Sequence, residues 1–69
     1  MTQATKTALI QMCENEVSRR TNLIEMLNAE YKRKTMTPKE YHEHFTKHSN
    51  ARSKAKKLIA ELEKEEANG

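Results

Sequence analysis

The sequence predicts an all-α fold, an antiparallel hairpin of two long helices that dimerises into a four-helix bundle. Two heptad strings carry most of this. Ile10, Cys13, Val17, Arg20, Ile24, Leu27 and Tyr31 follow a 3-4-3-4 spacing, and so do Tyr41, Phe45, His48, Arg52, Ala55, Ile59 and Leu62. That period keeps one face of a helix against a partner helix. Between the strings, Thr37-Pro38-Lys39-Glu40 reads as a helix N-terminus. Composition agrees: with 33% of residues charged, 35% hydrophobic, one Gly and one Pro, the chain suits long helices rather than sheets or disorder.

The whole chain, residues 1–69, is expected to form one domain. Helix 1 is expected over about residues 6–34, starting near Thr5 to Thr7 and closing on Lys32, Arg33 and Lys34, whose charge complements the macrodipole. The turn takes about residues 35–37 and helix 2 about residues 38–66. Thr37 caps helix 2 through its hydroxyl, Pro38 fits the first helical position, and Glu40 reaches back to complete a capping box. So short a connection forces the helices to lie antiparallel. Pairing the strings around it sets Tyr31 by Tyr41, Leu27 by Phe45, Ile24 by His48 and Arg20 by Arg52. Val17 then meets Ala55, Cys13 meets Ile59 and Ile10 meets Leu62.

The Arg20–Arg52 layer fits a packed core least well, because two unpaired guanidinium groups cannot be buried dry. Arg stems lying over apolar surface with their heads in water resolve it, with Glu16 in register to pair. Ser49-Asn50 offers a second cap, so helix 2 either runs unbroken or restarts at Ala51. Glu61, Glu63, Glu65 and Glu66 end helix 2 beside the start of helix 1, where negative charge is favourable, and the tail 67–69 is expected to fray.

Self-association follows from size. Two helices in contact bury one stripe each, and domains this short need staples or partners. A lone Cys13 excludes an intramolecular disulfide. The apolar sector of helix 1 is wider than one seam requires, so Leu9, Met12, Leu23 and Met26, with Leu58 of helix 2, are the expected dimer interface.

Charge is distributed unevenly. From His44 to Ala60 there is no acidic residue, whereas Lys47, Arg52, Lys54, Lys56 and Lys57 all fall there. Lys32, Arg33, Lys34 and Lys39 make the turn basic too, and the acids collect at the open end. Such a surface suits phosphates, whose neutralisation releases counterions. The expected nucleic-acid contacts are Lys47, Arg52, Lys54, Lys56 and Lys57, with Arg19 and Arg33 contributed by helix 1. No aromatic residue is interleaved for base stacking, so specificity would come from shape.

Catalytic constellations are absent: there is no Ser-His-Asp or Cys-His arrangement and no Gly-rich phosphate loop. Glu40, His44 and His48 stand one turn apart, a workable ligand spacing, but Lys47 opposes a cation and no metal or other cofactor is expected. No apolar run or leader-like N-terminus is present, so no membrane association is expected and the cytoplasm is the expected compartment. The expectation is therefore a non-enzymatic regulator, a homodimeric helical hairpin holding RNA or DNA backbone. The alternatives are an inhibitor or adaptor on an acidic host protein, and a structural coiled-coil piece.

Overall fold

The computed structural model describes residues 1–65 as two helices packed against each other, α1 (Gln3–Lys32) and α2 (Pro38–Lys64). Glu66 and the tail 67–69 lie outside the described residues. The hairpin is a rod whose Cα positions span 53 × 14 × 10 Å. The capping box forms as expected: Glu40 N–H donates to Thr37 Oγ1 at 3.2 Å, and Thr37 N–H donates to Glu40 Oε1 at 3.2 Å. Those bonds to the charged form hold the Glu40 carboxyl below its ordinary range, the Thr37 backbone N–H being the main cause.

Both ends of α1 differ from the sequence expectation, each for a local reason. α1 begins at Gln3 because Thr2 caps it, accepting from the Thr5 N–H at 3.2 Å. α2, by contrast, runs unbroken past Ser49-Asn50, the first of the two expected outcomes, since both residues keep helical backbone pairing and no cap forms there. α1 ends at Lys32 rather than Lys34 because the chain turns left-handed at Lys34, with φ 59°. Thr35 N–H then reaches Glu30 O at 3.2 Å and Lys34 N–H reaches Tyr31 O at 3.0 Å. This is a Schellman termination built on a lysine where glycine is the usual residue.

A left-handed lysine carries a Cβ clash that glycine lacks. Lys34→Gly is therefore expected to stabilise the hairpin by about 1 kcal/mol, raising Tm by roughly 4–8 °C in a chain this short. Thermal unfolding followed by circular dichroism checks it, and an unchanged or lower Tm would refute it.

The hairpin register is the expected one at the turn end. Tyr31 and Tyr41 stack with ring centroids 4.3 Å apart, and Phe45 continues the stack at 5.7 Å. Tyr41 Oη donates to Asn28 Oδ1 at 2.6 Å. At the open end, Lys6 Nζ donates to the carbonyl oxygens of Glu65 (2.8 Å) and Glu63 (3.4 Å), so a lysine of α1 satisfies the last turn of α2. The core between these ends is thin. Only Ile24, Leu27 and Ala55 are buried among the described residues. The chain exposes 5312 Å², against roughly 4500 Å² for a compact monomer of 8.1 kDa.

Candidate functional site: an open apolar face edged by lysines

Along α1, Leu9, Met12, Glu16, Leu23 and Met26 recur at steps of three, four and seven residues and so share one face. Two grooves open on that face where it meets α2. One is lined by Met12, Cys13, Glu16, Ala51, Lys54 and Leu58; the other by Leu23, Met26, Leu27, Met36, His44 and His48. Met12 is 66% exposed, Met26 61% and Leu58 44%, while Leu9 and Leu23 are half-buried. Four of the five expected interface residues thus line the two grooves, and Leu9 extends the same face toward the open end. The sequence strings did not place Lys54 there; it stands beside Leu58, one helical turn away on the same side of α2.

The five α2 residues expected to form one basic face divide between two flanks of the helix. In a continuous helix Lys47, Lys54 and Lys57 fall within about 80° of arc, whereas Lys56 and Arg52 lie on the other flank of α2. Arg52 is half-buried and donates from Nη1 to Thr21 Oγ1 at 3.4 Å. Arg19 belongs to α1 and stands 3.6 Å from Glu16, and Arg33 is exposed at the end of α1. Lys47, Lys54 and Lys57 are all exposed, with no described carboxylate within ion-pair distance.

The polar layer crosses the middle of the hairpin. Arg20 Nε donates to Glu16 Oε1 at 2.6 Å, and Arg20 Nη1 donates to His48 Nδ1 at 2.8 Å. The Arg20 side chain is only 18% exposed, so its head is held by Glu16 and His48 instead of lying in water beside Arg52. An arginine has no acceptor, so the bonded His48 must present a lone pair at Nδ1 and is neutral. The Arg20 bond in turn holds the Glu16 carboxyl below its ordinary range.

His48 is pushed below its ordinary value of 6.5, first by desolvation and then by the positive charge of Arg20, Lys47, His44 and Arg19. The sign follows directly. The unfolded chain binds a proton at this site more readily than the folded one, so stability is complete above about pH 6.5 and falls as pH drops toward the depressed folded value. Tm is expected to decline on acidification through that window. His48→Gln, whose Oε1 can accept from Arg20, is expected to remove this component; an identical Tm-versus-pH curve for the variant would refute the assignment.

Among the described residues no group of three or more His, Cys, Asp or Glu is placed to hold a metal ion. No described helix is long and apolar enough to cross a membrane. No family model, curated protein or solved structure matches the chain.

Proposed function

We propose that the protein acts by association rather than catalysis, as a homodimeric helical hairpin whose lysine-edged α2 flank holds nucleic-acid backbone. The observation that carries the nucleic-acid part is the set Lys47, Lys54 and Lys57. They are exposed, lie on one arc of a rigid helix, and have no described carboxylate within ion-pair distance. Unpaired ammonium groups at helical spacing are suited to phosphates, whereas ion-paired ones would have to break a bond first. The dimer part is supported by the thin core and by the exposed Met12, Met26 and Leu58 on one face.

The test is a titration of nuclease-treated protein with structured RNA, duplex DNA and single-stranded DNA at two salt concentrations. Saturable binding that weakens steeply with salt is expected for at least one of them. No binding at low salt would overturn the nucleic-acid reading. It would favour the second reading, a protein adaptor using the Met12 and Met26 face, where unbranched and adaptable side chains suit a partner's groove.

A further inference from the structure

The open face carries a pattern that is symmetric about its own midpoint. On α1, Leu9 and Met26, Met12 and Leu23, and Glu16 and Arg19 are each equally spaced about the point between Val17 and Ser18. On α2, Ala51 and Leu58 are equally spaced about the point between Lys54 and Ala55, and Lys47 and Glu61 are so within one residue. The Tyr31–Tyr41 stack sets a hairpin register that brings the two midpoints level. A self-complementary pattern of this kind is what an isologous two-fold interface needs.

We propose that a second copy of this chain covers the open face, related by a two-fold axis through those two midpoints, with the two turns at opposite ends. This rests on the homodimer reading and specifies its arrangement. Across the axis, Met12 meets Leu23 of the partner subunit, Leu9 meets the partner's Met26, and Leu58 meets the partner's Ala51. Glu16 stands opposite the partner's Arg19, a side chain 64% exposed and bound in its own chain only at 3.6 Å. A face of 53 by 14 Å between Cα positions is of the size that standard interfaces bury, about 800 Å² per partner.

Charge decides between this arrangement and its rival, in which both turns lie at one end. The rival stacks two basic tips, each holding Lys32, Arg33, Lys34 and Lys39, on one another. It also gathers both sets of Glu61, Glu63 and Glu65 at the far end. Opposite turns set each basic tip near the partner's acids, within a Debye length, so attraction replaces repulsion. The arrangement also completes the nucleic-acid surface. Lys47, Lys54 and Lys57 of both copies then line one flank over about 22 Å, a stripe that neither hairpin supplies alone.

Disulfide trapping tests this in a Cys13→Ser background, alongside sedimentation of the unmodified chain. Lys54→Cys places a thiol beside its own symmetry mate, so mild oxidation is expected to link the dimer about a hundredfold faster than collisions between separate chains. A mixture of Met12→Cys chains with Leu58→Cys chains, neighbours only in the rival, is expected to link no faster than collisions. Rapid linking of that mixture without linking at position 54 would overturn the opposite-turn arrangement and leave the dimer standing. Sedimentation as a monomer at 100 µM, a loading chosen for the experiment, would overturn the dimer itself.

Discussion

Reversing Lys54 and Lys57 together to glutamate is expected to abolish nucleic-acid binding while leaving the helices and the dimer intact. Both side chains are exposed on a continuous helix, and Glu has nearly the helix propensity of Lys. The added cost is a like-charge contact between the glutamate introduced by Lys57→Glu and the native Glu61 one turn on, a few tenths of a kcal/mol. Binding should respond far more strongly. The two changes take the formal charge from +3 to −1 per chain and replace phosphate attraction with repulsion at the centre of the stripe. Affinity at low salt is expected to fall by at least about a hundredfold, and the log–log salt slope to shrink by roughly two per chain. Lys54→Gln with Lys57→Gln should give an intermediate loss, since attraction is removed without repulsion being added. Sedimentation should report the same dimer throughout, because like charges face each other across the two-fold with either sign. Unchanged binding after reversal would remove these lysines from the proposed surface.

What could be read in advance was the part of the molecule governed by local rules. The heptad strings predicted a hairpin because apolar spacing is a direct consequence of helical geometry, and Thr37-Pro38-Lys39-Glu40 predicted the start of α2 because a capping box is contained within four residues. The end of α1 was harder. A left-handed residue there is normally signalled by Gly or Asn, and Lys34 gives no such signal. Lys6 was also missed as the cap of α2, since its partners on Glu63 and Glu65 are backbone carbonyls almost the whole chain away. The polar layer was half legible: the Glu16–Arg20 pair follows from their four-residue separation, but the use of His48 as an acceptor depends on side-chain rotation across the hairpin. Treating the basic segment as one surface failed for a geometric reason. Adjacent residues on a helix diverge by about 100°, so Lys56 and Lys57 cannot serve the same flank.

Leu23→Asp is expected to dissociate the dimer and to unfold the hairpin with it. Leu23 is half-buried in the separate hairpin, lining the groove formed with Met26, Leu27, Met36 and His48. Each dimer would carry two carboxylates buried against apolar side chains, Met12 of the partner subunit among them, the nearest cation, Arg19, being already engaged with Glu16. A penalty of at least about 3 kcal/mol, a hundredfold or more in Kd, follows from burying an unpaired charge. The hairpin has little with which to compensate. Ile24, Leu27 and Ala55 are its only buried residues among those described, and a core this small seldom stabilises a domain without a partner. Loss of helical circular dichroism should therefore coincide with loss of the dimer, and the transition of the unmodified protein should depend on its concentration, as coupled folding and assembly require. Leu23→Met, similar in volume, should keep both. A fully helical monomer after Leu23→Asp would overturn the coupling of folding to assembly, and an intact dimer would mean that this face is not the seam and would overturn the four-helix bundle.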